Sequence, residues 1–382
     1  MTIGIDGHDL EGRRTGVGQY LMAILRAWAR AGVPTQERIV VFAKDHVPED
    51  LPTGITARLL AKPFGYSSTA LFIQALLPRA AKRAGVDILW CPGYVAPLRW
   101  RGALVLTLHD IVYETRPELF NWRGPQDFFL LKFVSRAAAQ RAARILVPSQ
   151  FTANEVRRLY RVPEHRIAVT PEAADSAFRP ISKNDALTVA ARYGIRESYF
   201  FFVGSLFTRR RIPECLQAFG AIARDFPRQQ FLIAGGNYTR PHVDIHHIIM
   251  RLNAAIGRPA IISVPYAAQE DLPSLMSGAT AVIWLSEYEG FGLPPLESLA
   301  CGTPVITTAS TSLPETVGDC ALFVRDPSNV TMIEEAMRAL LSDEQLSSRL
   351  SSCGPRQAAR FSWDRCGEQT IEVLRQAAEK RP

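Results

Sequence analysis

A chain of 382 residues that is 47% hydrophobic can bury large cores, so its length and composition exclude a disordered protein and predict two or three domains. No run of 18 uninterrupted apolar residues occurs and Thr2-Ile-Gly-Ile-Asp6 enters a strand without a cleavable leader, so an intracellular chain with no membrane span is expected. The net charge of +7 is unevenly shared: residues 1–185 carry 25 Lys and Arg against 17 Asp and Glu, and the remainder 19 against 20. That basic excess suits an anionic membrane surface or an ordinary solvated one. Nucleic acid fits it poorly, because the basic residues are scattered and no helix-turn-helix, zinc-finger or aromatic-rich RNA-binding pattern accompanies them. The six cysteines are widely spread with no C-x-x-C pair, which predicts reduced thiols and no zinc site.

Short apolar runs alternate with longer helical patterns, as in βαβ units with parallel sheets. Strands are expected at residues 3–5, 38–42, 88–91, 103–108 and 144–147, then at 199–203, 230–234, 260–264, 280–285 and 303–307. The repetition predicts an α/β protein of two doubly wound domains. An irregular stretch over 174–184 contains Pro180 and puts the boundary there, giving domains 1–180 and 181–361. Ligands of such sheets bind outside the carboxyl ends of the strands, so the site is expected in a cleft between the domains.

Taken in chain order, Gly16 and Gly18 in Thr15-Gly-Val-Gly read as a tight loop between the first strand and a helix. Residues 69–83 place Leu71, Phe72, Leu76 and Leu77 at helical spacing before Arg79, Lys82 and Arg83, with Pro78 expected to kink or end the helix. This segment fits either an anionic bilayer or core packing. His109 and Asp110 follow an apolar strand, where a histidine can bind a sugar hydroxyl or be held by its own loop. Pro92-Gly-Tyr94, Arg116 and Pro117 lie nearby in turn-forming sequence. In the second half, Tyr199-Phe-Phe-Phe-Val-Gly204 leads to Arg209, Arg210 and Arg211, and guanidinium forks stabilise the charge of a leaving diphosphate. Arg211 reads as a surface charge.

The most informative stretch is Glu289-Gly-Phe-Gly-Leu-Pro-Pro-Leu-Glu297, a glycine-rich turn between an apolar strand and a helix expected to begin near Pro295. Gly290 and Gly292 let a ligand approach the backbone, and the amino end of the helix favours phosphate. Carboxylates on both sides accept hydrogen bonds from hydroxyls. Hydroxyl-rich rings flanking a phosphate describe a nucleotide sugar.

Glu289 to Glu297, with Ala300-Cys-Gly-Thr-Pro-Val-Ile306 and Ser312-Leu-Pro-Glu-Thr-Val-Gly318, resembles the signature of retaining glycosyltransferases of the GT-B fold, family four. The resemblance implies two Rossmann-like domains facing across a cleft, the first on the acceptor side and the second binding the donor. It assigns Glu289 to hydroxyls of the transferred sugar and Glu297 to the ribose, with Gly290, Phe291, Gly292 and Leu293 between them at the phosphates. By the same resemblance Gly16, Gly18 and Gly204 lie near the donor, His109 near the transferred sugar, and Tyr266 and Ala267 at the base. The family's usual Arg-Lys pair reads Arg209-Arg210 here, which leaves open which arginine reaches the diphosphate. A segment like Phe361-Ser-Trp-Asp364 opens the family's last helix; here a helix over 362–382 capped by Ser362 is expected to return to the first domain.

The implied reaction is retaining transfer from a nucleotide diphosphate sugar to a hydroxyl acceptor, lipid-linked if the membrane reading holds. GDP-mannose in surface-polysaccharide assembly is the leading donor, with UDP-glucose and related donors open. No cofactor is implied beyond the donor substrate, and no Asp-x-Asp motif points to a bridging metal. The protein is expected in the cytoplasm, free or peripheral at the inner face of the membrane. A phosphorylase and a non-enzymatic nucleotide-sugar binder are the competing readings.

Overall fold

A computed structural model describes residues 1–12, 16–60, 68–122 and 124–379. Two compact units result, Met1–Glu172 with Ser362–Pro382, and Ala173–Phe361. The first unit closes upstream of Pro180 because the irregular stretch that follows is packed into the second unit: Phe178 is buried with Tyr199, Leu275 and Met276.

Seven parallel strands build the first unit: β1 (Thr2–Asp6), β2 (Arg38–Ala43), β3 (Ile55–Leu59), β4 (Ile88–Cys91), β5 (Ala103–Thr107), β6 (Arg144–Val147) and β7 (Ile167–Val169), in spatial order 3-2-1-4-5-6-7. The second holds β8 (Ser198–Val203), β9 (Gln229–Ala234), β10 (Ile261–Val264), β11 (Ala281–Trp284), β12 (Val305–Thr308) and β13 (Leu322–Val324), in order 10-9-8-11-12-13. Both sheets reverse strand order once, at β1/β4 and at β8/β11. A crevice opens at such switch points beyond the strand ends, and this is where open α/β sheets bind ligands. The central strands are continuous apolar runs because helices cover both faces; all four residues of β11 are buried. The strands not anticipated, β3, β7 and β13, are all at sheet edges: Thr56 and Arg58 interrupt the apolar run of β3, and β7 and β13 are apolar but only three residues long.

The helix Gly16–Arg30 buries Tyr20, Leu21, Ile24, Leu25 and Trp28. The helix Trp363–Glu379 packs on it within the first unit. Its Gly367 carbonyl accepts a 2.8 Å hydrogen bond from Trp28 Nε1, and Cys366, Ile371 and Leu374 join the same core. Ser362 Oγ accepts from Arg365 N at 3.4 Å, and residues 380–382 of the expected helix lie outside the described residues.

Two expectations are corrected here. The segment over 69–83 breaks into Thr69–Leu71, a π turn Phe72–Leu76 and Leu77–Arg83; Phe72, Ile73 and Leu77 are core residues, and Pro78 opens the last helix rather than kinking it. Its apolar face is thus spent on packing. Nor are all cysteines reduced: Cys320 and Cys353, 33 residues apart, form a disulfide with a Cα separation of 5.5 Å, while Cys91, Cys215, Cys301 and Cys366 are buried thiols. The pair meets because the helix Glu344–Ala358 packs on the helix Leu293–Ala300 beside Val317 and Cys320, a contact that sequence spacing does not reveal. Among the described residues no helix is long and apolar enough to cross a membrane.

Candidate active site

In the second unit the loop after β11 carries Glu289 into the helix Leu293–Ala300, which begins two residues before the expected Pro295. Gly292 caps it in the left-handed conformation (φ 105°), and a Cβ there would stand 2.7 Å from Leu313 Cδ2. The anticipated amide cradle is narrower than a typical helix start. Pro294 and Pro295 have no N–H and Leu296 N donates to Gly292 O at 3.3 Å, so within the first turn Leu293 alone offers an N–H outside the helix ladder. Gly290 and Phe291 are buried in the loop, and Glu297 is half-buried in the second turn.

A hydroxyl-rich segment after β12 braces this loop. Thr311, itself left-handed at φ 55°, accepts the Glu289 N–H at Oγ1 (3.1 Å). Ser312 Oγ donates to the carbonyls of Glu289 (2.9 Å) and Phe291 (3.1 Å), and Thr316 Oγ1 to Phe291 O (2.7 Å). Sequence reasoning assigned these hydroxyls no function. Their signal is the run Thr307-Thr-Ala-Ser-Thr-Ser312 directly behind a strand.

Gly204 closes β8 at φ 132°; a Cβ there would lie 2.9 Å from Arg210 Nη1 and 3.2 Å from the Trp284 ring. The missing side chain makes room for Arg210, which follows in the 3₁₀ turn Thr208–Arg210. Its guanidinium stacks 4.2 Å above Trp284, which is itself stacked on Phe202, and donates from Nη1 to Ser205 O at 2.7 Å. Nε faces Glu289 Oε1 at 3.5 Å, with the two side chains 12% and 14% exposed. Burial pulls the Arg210 guanidinium down to about 10 against the opposing pull of Glu289, so it stays charged at neutral pH. Arg209 stacks on Phe207 at 4.4 Å. Arg211 is no surface charge: it bridges Glu287 (2.8 Å) and Glu214 (3.0 Å) from a left-handed backbone that starts the next helix. Besides the bridged Arg211–Glu287 pair, four buried polar atoms of these loops and of β11 lack a hydrogen bond inside the protein: Arg209 Nε, Arg210 Nε, Trp284 Nε1 and Glu289 Oε1. Such atoms are costly to leave unmet.

Beyond β10, Tyr266 is exposed and Ala267 buried. The next amide, Ala268 N, donates to Tyr193 Oη at 3.0 Å, and Tyr193 Oη in turn donates to Asp271 at 2.7 Å, which fixes this loop's backbone.

His109 lies in the first unit, just after β5. Nδ1 meets Glu172 Oε1 at 2.8 Å and Nε2 meets the Pro92 carbonyl at 3.0 Å, so both ring nitrogens face acceptors and the ring fits best as an imidazolium. Burial pulls its pKa down, but Glu172 and Pro92 outweigh that and the net shift is upward. A bond from His109 to a sugar hydroxyl would therefore have to displace one of these contacts. Gly16 and Gly18 are not a loop but the start of the helix Gly16–Arg30, with Gly18 buried inside it; Thr15 lies outside the described residues. Sequence reasoning overlooked Asp6-Gly-His8-Asp9 after β1. His8 Nδ1 contacts the buried Asp6 at 2.7 Å, and this pairing outweighs desolvation and raises the His8 pKa to about 9. Tyr94 donates to Asp110 at 3.3 Å, and Arg116 pairs with Glu118 on the surface. Among the described residues no cluster of three or more His, Cys, Asp or Glu is placed to hold a metal ion.

Residues 14–178 match the Glycosyltransferase Family 4 domain and residues 191–357 the Glycosyl transferases group 1 domain. The chain is 31% identical over 379 residues to the O-antigen chain mannosyltransferase B of Escherichia coli, covering 94% of this chain and 96% of that one. Among solved structures, a sucrose-phosphate synthase from Thermosynechococcus elongatus superposes with a TM-score of 0.77 at 21% identity, covering 98% of each chain. HepE of Anabaena, solved with UDP and glucose, superposes at 0.73 and 17% identity, covering 98% of this chain and 99% of that one. With these matches spanning both units, the chain belongs to the GT-B glycosyltransferases of family 4.

Proposed function

We propose that the enzyme transfers a hexose, mannose from GDP-mannose in the leading case, to a hydroxyl of a growing surface glycan with retention at the anomeric carbon. The observation that carries this reading is the group of unmet buried polar atoms on Arg209, Arg210, Trp284 and Glu289. A diphosphate would satisfy the guanidinium donors and a sugar hydroxyl the Glu289 carboxylate. Mannose is favoured by the similarity to the O-antigen chain mannosyltransferase of Escherichia coli, and a surface glycan as acceptor by the same relative. A UDP-sugar donor is the second reading, favoured by the UDP and glucose bound to HepE.

In the reaction so read, the bond from the anomeric carbon to the diphosphate oxygen breaks as Arg209 and Arg210 take up the growing negative charge. The acceptor oxygen attaches on the same face, and its proton passes to the departing phosphate oxygen. Glu289 orients the sugar and Glu297 holds the ribose. The amides near Leu293 meet the phosphates, Tyr266 and Ala267 meet the base, and Gly204 gives Arg210 its space. His109, held by Glu172 and Pro92, is assigned to the sugar as a fixed cation, and Gly16 and Gly18, at the start of the first unit's first helix, are assigned to the donor. No metal is needed, because the arginines supply the positive charge. Incubating the protein with GDP-mannose, UDP-glucose and simple mannoside acceptors, then reading the new linkage by NMR, tests the proposal. An α linkage from an α-linked donor is expected; a β linkage, or no transfer from any nucleotide sugar, would overturn it.

A further inference from the structure

Phe128, Phe129 and Phe133 stand on the first unit's surface, exposed by 45%, 58% and 58%, within the helical run Pro125–Phe129, Leu130–Val134 and Ser135–Arg141. The other face of that run is used normally: Val134 is buried, and Ala138 and Ala139 belong to the core. The π turn at Leu130–Val134 lies between Phe129 and Ser135, and Phe133 still meets both Phe128 (6.3 Å) and Phe129 (5.6 Å). An open hollow of about 250 Å³ lies beside them, bordered by Phe128, Phe133, Lys132 and Arg136.

The charge of the run is net positive, with Lys132, Arg136 and Arg141 against Asp127. Lys132 is held by Glu114 at 3.1 Å. The exposed Arg136 and Arg141 hydrogen-bond backbone carbonyls, of Leu159 and Trp100, and so keep their charge. Contiguous aromatic surface beside free positive charge matches the boundary between the headgroups and acyl chains of an anionic bilayer.

A second relationship points inward. Phe128 meets Trp122 at 4.9 Å, Trp122 meets Phe120 at 4.8 Å, and Phe120 meets the buried Tyr113 at 5.8 Å. Tyr113 meets Tyr94 at 5.9 Å, and Tyr94 meets His109 at 6.2 Å. An unbroken row of rings thus joins the exposed patch to His109.

We infer that Phe128, Phe129 and Phe133, with Arg136 and Arg141, form the surface by which the protein docks on an anionic lipid bilayer, packed through the row of rings onto the loop that holds His109. That docking would serve a lipid-carried acceptor rests on the glycosyl-transfer reading; the docking surface does not. Because Phe72, Ile73 and Leu77 are buried, this run takes the membrane role that the sequence allowed for residues 69–83.

The test is flotation of the full chain with vesicles of phosphatidylethanolamine and phosphatidylglycerol, alongside phosphatidylcholine vesicles. The wild type should float with the anionic vesicles only, and less so as salt rises. Phe128→Ser/Phe129→Ser/Phe133→Ser should lower the bound fraction on the order of tenfold, and Arg136→Gln/Arg141→Gln should flatten the salt dependence. Equal flotation of the aromatic variant, or no flotation of the wild type, would overturn the inference. So would an altered oligomeric mass in the variant without altered flotation, which would mark the patch as a contact between copies of the chain. Transfer to a water-soluble acceptor is measured in parallel: flotation lost with turnover intact supports the docking surface. Turnover absent from the wild type, with flotation still dependent on the phenylalanines, would sink the transfer reading alone.

Discussion

Arg210 Nε lies 3.5 Å from Glu289 Oε1, and neither atom has a hydrogen bond within the protein. Two opposite charges are held nearly buried, close enough to stabilise each other and still able to take a further partner. An ion pair kept for stability alone would be expected to satisfy its own donors and acceptors.

The two glutamates should separate by kinetics. Glu289→Gln keeps the shape of the side chain but loses its charge, so nucleotide affinity should hold while turnover falls on the order of a hundredfold. Glu297→Ala should weaken nucleotide binding instead. Calorimetry with nucleotide alone distinguishes them, and equal loss of affinity in both would end this division of labour.

Replacing Arg210 by Ala should lower turnover on the order of tenfold to a thousandfold, with Arg210→Lys falling between because it keeps the charge and loses the planar fork. Chelator should leave the wild-type rate unchanged. Activity abolished by chelator and restored by manganese would show that a metal, not the arginines, carries the diphosphate charge.

Gly204→Ala tests whether Arg210 is held where it is needed. The left-handed φ of 132° and the 2.9 Å approach to Arg210 Nη1 both oppose a methyl group. The variant should lose about 1–3 kcal/mol of stability and displace the guanidinium, so turnover should fall along with the melting temperature. Unchanged turnover would mean that Arg210 does not act from its observed position.

The histidines of the first unit should make its stability depend on pH. The pKa of His109 is raised on folding, and so is that of His8, to about 9. For both, the contribution is complete below the unfolded value of about 6.5 and is lost as pH rises through the folded value. The melting temperature should fall over that interval, and His8→Gln should remove the part that extends to about 9. A melting temperature that rises across the interval equally in both proteins would contradict the Asp6–His8 and Glu172–His109 pairings.

Central elements of both sheets were legible because strands such as β8 and β11 are buried on both faces and read as unbroken apolar runs. The turn between Glu289 and Glu297 was legible because glycine, proline and glutamate each report a backbone requirement. Long-range pairing was not. Glu172 reaches His109 from 63 positions away, and Thr311, Ser312 and Thr316 brace the Glu289 loop only because β12 lies beside β11. Arg211 looked like a surface charge because its partner Glu287 comes from another strand end. Gly16 and Gly18 resembled a loop because glycine disfavours helix, yet packing of Tyr20, Ile24 and Trp28 carries the helix through them.

Calorimetric titration of GDP and UDP into the wild type and into Arg210→Ala tests the donor site most directly. The wild type should bind at least one of the two, and the variant should bind that one more weakly, on the order of tenfold to a hundredfold, because a charge-assisted contact to the diphosphate is lost. Equal affinity in the two proteins, or no binding of either nucleotide by the wild type, would contradict a diphosphate site built on Arg210 and Glu289.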